Sequence, residues 1–464
     1  MTEPGAGGSS LGARALSWWG DQPDWAGARH GLPRRRWSTA RPQRAMPSWG
    51  SDDSLVLSGP LGFGLRGLDH LIGTLPRLAL AGAAATHGAT SLALLVARAR
   101  AHGDRVAWRD GERQVTYGQL TSDVVAERRA QRWRPVVITS PDPYAVVVQL
   151  LAGAAGPAGV LVVGARAGSQ ADLRPPKTGI AFFSSGTQGP PVAHTRRASL
   201  LSALPPLDLI SSLGLPDAPV VASPSTPDHG HGAGAVVATI LVGGTYVQLD
   251  GPVRGRVDLL TAVPLQLRET LDAGHLDAAD VATVLAGSDR LEADLATDLT
   301  ARLGAQVWNA YGSTEAGVIA LADPDDVAAG TVGRPLSGVQ VRVEDEHGRP
   351  LPRGAEGVLA VRTLAAVAPF RGDRGRIDGD RIVLLGRADS RLVTGGEVVD
   401  PERLRAWLTE QPGVTSADVS TVPDARFGRR LTATVTGDAD PDQLRDGARE
   451  ALGPAHVPAT ISAV

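Results

Sequence analysis

The stretch richest in chemistry-bearing residues is AFFSSGTQGPPVAHTRR, residues 181 to 197. An apolar strand there runs into Ser184, Ser185, Gly186, Thr187, Gln188 and Gly189. Small side chains let backbone N–H groups and hydroxyls come close to an anion, so this loop has the make-up of a triphosphate cradle. Taken alone, a Ser/Gly/Thr stretch reads as well as a plain turn. His229 and His231 lie among glycines in STPDHGHGAG, with no third ligand spaced to complete a metal site. A second glycine pattern, Gly62, Gly64 and Gly67, has the G-x-G-x-x-G spacing of a dinucleotide-binding turn. That fingerprint also needs an acidic residue about 20 positions on. Neither Asp nor Glu occurs between Asp69 and Asp104, so the pattern is a decoy.

The elements that must position such residues belong to a large chain. Its 464 residues exceed one ordinary domain, and a hydrophobic fraction of 42% fits a globular protein with a sizeable core. A formal net charge of −3 provides no global basic field for nucleic acid or an anionic membrane, so any nucleotide must be held locally. Cysteine is absent, which excludes disulfides, thiolate metal sites and a cysteine nucleophile. Among 46 basic residues Lys177 is the only lysine. The opening MTEPGAGGSS has no basic segment leading into an apolar one, and no run of about 18 apolar residues occurs. A cytoplasmic protein without stable membrane insertion is the expectation.

Residues 1–50 mix Gly, Pro, Ser and Arg with Trp18, Trp19, Trp25, Trp37 and Trp49 and show no sustained period, as expected of a disordered tail. LDHLIGTLPRLAL and SLALLVARARAHG carry helical spacing, and RVAWRDGERQVTYGQL alternates around a hairpin signal at Asp110-Gly111. PVVITS, YAVVVQLLAG and GVLVVG form a strand, helix and strand, which argues for a parallel sheet covered by helices. The alternation continues through VVATILVGGTYVQL, DLLTAVPLQLRETLDAG, DVATVLAG and AQVWNAYG. After about residue 330, GVQVRVEDEHGRPL and GVLAVRT read as antiparallel strands, with Asp345 and Gly348 in a turn. The final stretch adds helices PERLRAWLTEQ and PDQLRDGAREAL around strands ADVSTV and LTATVTG.

The phosphate-type loop gains weight from the segments downstream: NAYGSTEAG at 309 to 317, GRPLSGVQVRVEDEHGRPLPRGAEGVLAV at 333 to 361, GDRGRIDGDRIVLLGRAD at 372 to 389, TGGEVVDPERL at 394 to 404, and GVTSADVSTVPDARFGRRLTATV at 413 to 435. TYGQL at 116 to 120 precedes it. In this order the segments resemble the adenylate-forming superfamily of acyl-CoA synthetases, luciferases and peptide-synthetase adenylation domains. Within it they look most like actinobacterial fatty-acyl-CoA and o-succinylbenzoyl-CoA ligases. The resemblance implies an α/β fold: an AMP-binding N-terminal domain of several subdomains over 51–387, with parallel sheets and helices, and a small mobile α+β domain over 388–464.

The resemblance also implies roles, with ATP, CoA and Mg²⁺ as cofactors and a small acyl or aryl carboxylic acid as substrate. Thr187 and the loop Ser184, Ser185, Gly186, Gln188 and Gly189 would grip the β- and γ-phosphates. Tyr311 would stack on adenine beside Asn309, while Gly312, Ser313 and Thr314 approach the α-phosphate and acyl carboxylate. Glu315 is an oxygen ligand suited to Mg²⁺. Gly287 and Ser288 match the strand end lining adenine and the acyl pocket, and His229 the residue that gates the acyl site. Asp373 would accept from the ribose hydroxyls, Arg387 neutralise the nucleotide, Asp389 serve as the hinge, and Gly395 and Gly396 flank the pantetheine tunnel.

The sequence departs from the family where the phosphate loop has Pro191, Val192 and Ala193 instead of Pro-Lys-Gly, and where Val393 replaces a lysine before the glycine turn. The family's glycine–lysine pair after the VP segment has no counterpart before Val464. Lys177 reads as an exposed connector residue, and the stretch from Val163 to Phe182 is short. Arg196 and Arg197 are the nearest cations to the loop, although a planar guanidinium does not replace an ammonium point charge. The expectation is an acid–thiol ligase with weakened turnover, the alternative a degenerate protein that binds nucleotide or acyl-AMP as a sensor or partner subunit.

Overall fold

A computed structural model describes residues 57–58, 91–132, 134–154, 159–163, 175–183, 193–196, 204–363, 366, 369–388, 392–395, 397–424 and 426–463. All lie in the unit Ser54–Val464. The phosphate-type loop 184–189, Arg197, Asp389, Gly396, the 1–50 tail and the decoy glycines fall outside them.

The largest sheet runs, in spatial order, through Arg334–Pro335, Gly317–Ala322, Gln306–Ser313, Ala278–Gly287, Arg254–Ala262, Val220–Ser223, Thr245–Gln248, Val106–Asp110 and Arg113–Thr116. Its central pairs are parallel, and antiparallel pairs close both edges. Parallel strands buried on both faces need near-continuous apolar runs, which VDLLTA and TVLAG supply. At one edge Asp110 pairs with Arg113 across a two-residue turn in which Gly111 has φ +52°, the conformation glycine adopts without a Cβ penalty. TYGQL follows as a capping box: Thr116 Oγ1 accepts from Gln119 N–H, and Gln119 Oε1 from Thr116 N–H at 2.8 Å. Tyr117 is buried, its hydroxyl 2.8 Å from the Gly244 carbonyl.

A second sheet places Val136–Ile138, Val160–Val162 and Ile180–Phe183 in parallel and adds Ala193–Arg196 antiparallel. The helix Pro143–Ala154 connects its first two strands and buries Val146, Val147, Leu150 and Leu151. A third, antiparallel sheet orders Leu57–Ser58, Val339–Glu344, Gly357–Thr363, Phe370–Asp378 and Arg381–Arg387. Asp345 Oδ1 accepts from the His347 and Arg349 amides, with Gly348 at φ +78°, so that region is a turn as expected.

From Leu392 onward the chain has its own core, with Leu392, Val399, Leu404, Leu408, Leu431, Val435, Leu444 and Ile461 packed together. Helices Pro401–Thr409 and Pro441–Leu452 cover a three-stranded sheet of Val414–Asp424, Gly428–Gly437 and Ile461–Ala463. Both helices start on an Asp-Pro pair: Asp400 and Asp440 accept from the amide two residues on, and the proline loses no hydrogen bond in the first turn. The architecture is thus α/β, with a small α+β C-terminal part. Among the described residues no helix is long and apolar enough to cross a membrane.

Candidate nucleotide and acyl site

The parallel strands Arg254–Ala262, Ala278–Gly287 and Gln306–Ser313 end side by side, and in open α/β sheets ligands bind outside such carboxyl ends. The expected motif NAYGSTEAG occupies the last of these strands, a half-exposed turn, and the start of Gly317–Ala322. Register slips between Tyr311 and Gly312, a bulge that re-aims the chain. A Cβ on Gly312 would lie 2.5 Å from the Gly317 carbonyl oxygen, so the turn closes only around glycine. The Ala316 amide donates to Ser313 Oγ at 3.0 Å, and Thr363 of the third sheet donates to the Ala316 carbonyl at 3.0 Å. Those two bonds fix the backbone that presents Thr314 and Glu315, both partly exposed.

Tyr311 donates its hydroxyl to Asp373 Oδ2 at 2.6 Å, across 62 residues of sequence and between two sheets. Asp373 and Arg387 face each other in register, and Arg387 donates to Asp373 Oδ1 at 3.0 Å. Burial, together with the Asp373 charge, pushes the Tyr311 phenol well above its ordinary pKa, so it stays a donor. Gly372 makes room: a Cβ there would lie 2.4 Å from the Phe370 ring and 3.0 Å from an Arg387 nitrogen. Asn309, two residues before Tyr311, has a buried Oδ1 with no hydrogen-bond partner among the described residues. A buried acceptor left open costs stability unless a ligand donates to it, and the exocyclic amine of adenine is such a donor. ATP therefore fits this set. Mg²⁺ fits Glu315 as well, since it is usually held by one or two carboxylates with substrate phosphates supplying the rest. No cluster of three or more metal-ligating side chains exists among the described residues.

The strand Ala278–Gly287 ends at Gly287, followed by Ser288 at φ +66°, a left-handed conformation unusual for a side chain with a Cβ. The histidine that meets these two residues is His231. A Cβ on Gly287 would sit 3.3 Å from His231 Nδ1, and Ser288 Oγ lies 3.5 Å from the same nitrogen. His231 Nε2 is 2.9 Å from Thr261 Oγ1. Burial pushes the His231 imidazole down to a pKa of about 4. His229, the residue singled out from the sequence, is instead the N-cap of the helix Gly230–Val242; its side chain is 45% exposed and lies 3.9 Å from Asp228. The H-x-H spacing is visible in sequence, but which histidine turns inward depends on helix phase. Gly232 lets the helix's first turn pack against the preceding loop, since a Cβ there would be 2.1 Å from the Thr226 carbonyl oxygen.

Gly395 occupies the turn between Leu392–Thr394 and Glu397–Val399 at φ +57°. A Cβ on it would be 2.9 Å from Leu265 and 3.2 Å from the Phe427 ring. Arg426, beside Phe427, forms an ion pair with Glu269 of the helix Pro264–Asp272, so the glycine turn lies against that helix. Lys177 is exposed, in an irregular segment before Ile180–Phe183.

The parallel and antiparallel sheets, with the polar cluster between them and the small C-terminal α+β part, form the fold of adenylate-forming enzymes. The structure superposes on the amide bond synthetase McbA from Marinactinospora thermotolerans with a TM-score of 0.65 and 22% identity, covering 78% of this chain and 93% of that one. The model of the family "AMP-binding enzyme" matches residues 135–369, about half of the sequence, and the chain belongs to that family. It is 28% identical over 264 residues to the 2-hydroxy-7-methoxy-5-methyl-1-naphthoate–CoA ligase of Streptomyces carzinostaticus, covering 49% of this chain and 45% of that protein. It is 31% identical over 179 residues to the 2-succinylbenzoate–CoA ligase of Salmonella typhimurium, covering 37% of this chain and 38% of that protein. The chain thus matches less than half the length of these curated relatives.

Proposed function

We propose that the protein is an acid–thiol ligase that activates a carboxylic acid with ATP and passes the acyl group to CoA. The observation that carries this reading is the Tyr311–Asp373–Arg387 cluster, with the open acceptor of Asn309 two residues before Tyr311 on the same strand. In the first step a carboxylate oxygen attacks the α-phosphorus and pyrophosphate leaves. In the second the CoA sulfur attacks the acyl carbon, AMP leaves, and the thiol proton passes to solvent. Asp373 would accept from the ribose hydroxyls while Tyr311 and Arg387 hold its carboxylate in place, and orientation of this kind is a major part of such catalysis. Glu315 would hold Mg²⁺, which supplies charge neutralisation at the phosphates. Thr187 and the loop 184–189 would hold the β- and γ-phosphates, and Gly395 with Gly396 would border the path of the thiol. The part from residue 388 onward would act as the mobile domain.

A naphthoate–CoA ligase and a succinylbenzoate–CoA ligase among the relatives support an aryl acid, and acyl-coenzyme A synthetases among them an acyl acid, so the substrate class is a small acyl or aryl carboxylic acid. A second reading, a protein that binds nucleotide or acyl-AMP without turnover, is favoured by the replacement of the phosphate-loop lysine at Val192 and by Lys177 being the sole lysine. Pyrophosphate exchange into ATP with a panel of aryl and fatty acids separates the two. Acid-dependent exchange supports the ligase; AMP binding without exchange for any acid supports the binding protein.

A further inference from the structure

The chemistry of the His231 nitrogens is fixed by their neighbours. Thr261 has a single hydroxyl proton, and it points to the Leu285 carbonyl at 3.0 Å, which can only accept. Thr261 Oγ1 must then accept from His231, so the 2.9 Å contact carries the proton on Nε2. Nδ1 is left as the ring's acceptor, facing Gly287 and Ser288 at the ends of the parallel strands, with only the long Ser288 contact among the described residues to satisfy it. The Ser288 hydroxyl, 3.5 Å away, is too distant to satisfy it well. Burial keeps the ring neutral at physiological pH, and the Nε2–Thr261–Leu285 chain anchors it to two strands of the sheet.

From this geometry we propose that His231 Nδ1, with Ser288 Oγ, reads a hydroxyl on the acyl substrate, so that the acids taken are hydroxy-substituted. The inference rests on the ligase reading, with the acyl group lying outside the carboxyl ends of these parallel strands. A methyl ether or a plain hydrogen at the same position would leave Nδ1 without its donor, which is how a built polar site rejects an analogue. The Ser288 hydroxyl can both accept from and donate to the same substrate hydroxyl.

The test uses non-hydrolysable acyl-adenylate mimics of benzoate carrying a hydroxyl or a methoxyl at each ring position, titrated into the full chain alongside AMP. For at least one position the hydroxy compound should bind about tenfold more tightly than its methoxy partner, the worth of one hydrogen bond. His231→Phe should abolish that preference while still binding AMP. His231→Asn, whose amide oxygen falls near the place of Nδ1, should restore part of it. No preference at any position in the unaltered chain, or one that survives in His231→Phe, overturns the inference. Failure of AMP itself to bind overturns the nucleotide reading and the inference with it; AMP binding without hydroxyl discrimination removes only the inference. Should His231→Phe not fold, ring nitrogen shifts of the unaltered protein at pH 7, assigned by the signal lost in His231→Asn, decide the point. A proton on Nε2 supports the proposal, and a proton on Nδ1 or on both nitrogens contradicts it.

Discussion

The hairpin of Phe370–Asp378 and Arg381–Arg387 carries an aspartate–arginine pair at each end. At the open end Asp373, its side chain 12% exposed, is held by Arg387 and Tyr311. At the turn Asp380, 57% exposed, pairs with Arg334 at 2.6 Å and with Arg381. The chemistry is the same and the surroundings are not. In water an exposed pair is screened and contributes about 0–1 kcal/mol, whereas removing one member of a buried pair strands the other's charge and costs about 3–5 kcal/mol. Arginine beside aspartate therefore says little by itself; a third, buried donor from another sheet is what separates a built site from a surface pair.

The largest expected effect is on stability. Asp373→Ala leaves the Tyr311 hydroxyl and the Arg387 guanidinium without their shared acceptor and should destabilise the protein by about 3–5 kcal/mol in denaturant titration. A loss under about 1 kcal/mol would mean that the two ends of the hairpin are equivalent.

Next comes a dependence on pH that the same contrast in burial produces. Burial holds His231 and His456 at pKa values of about 4 in the folded state, with Arg403 adding to the effect at His456. The unfolded chain titrates these histidines near 6.5. Above that value neither state is protonated and nothing is lost. As pH falls from about 6.5 to 4 the unfolded state takes up protons that the native state refuses, and stability declines by up to about 3 kcal/mol for each histidine. His456→Gln should flatten its share of this slope in melts recorded across that range. An unchanged slope would place His456 in a more solvated setting than its hydrogen bond from the Asp400 amide indicates.

A smaller effect is expected at Tyr311. Tyr311→Phe keeps the ring and deletes one charge-assisted hydrogen bond, worth about 1.5–3 kcal/mol. AMP affinity should fall about tenfold, by loosening Asp373 and not by loss of stacking, and Asp373→Ala should make the second change nearly silent. Additive effects in the double variant would separate the two residues. The smallest effect belongs to Asp380→Ala, for which stability should move by less than about 1 kcal/mol and AMP affinity not at all.

Sequence order makes much of this fold legible, because its signals are local. The Asp110-Gly111 turn, the strand–helix–strand unit from Val136 to Val162 and the helices of PERLRAWLTEQ and PDQLRDGAREAL are written in adjacent residues, and each forms as its spacing implies. NAYGSTEAG can likewise be set on a strand and turn. The Tyr311–Asp373 bond cannot be read in this way, since it joins residues 62 apart through the packing of two sheets. Inward-facing His231 is hidden by helix phase, and the fully buried Glu344, clamped by Arg342 and Arg371, looks like any surface carboxylate until the sheet is assembled.

Asp373, and not merely any aspartate of this hairpin, is the residue proposed to hold a nucleotide. Equilibrium titration of AMP into the unaltered chain, Asp373→Asn and Asp380→Asn decides this directly, the isosteric changes being chosen to spare the fold. The unaltered chain and Asp380→Asn should bind AMP with the same affinity, and Asp373→Asn at least about tenfold more weakly. Equal affinity in all three, or no binding to the unaltered chain, would show that Asp373 has no such role.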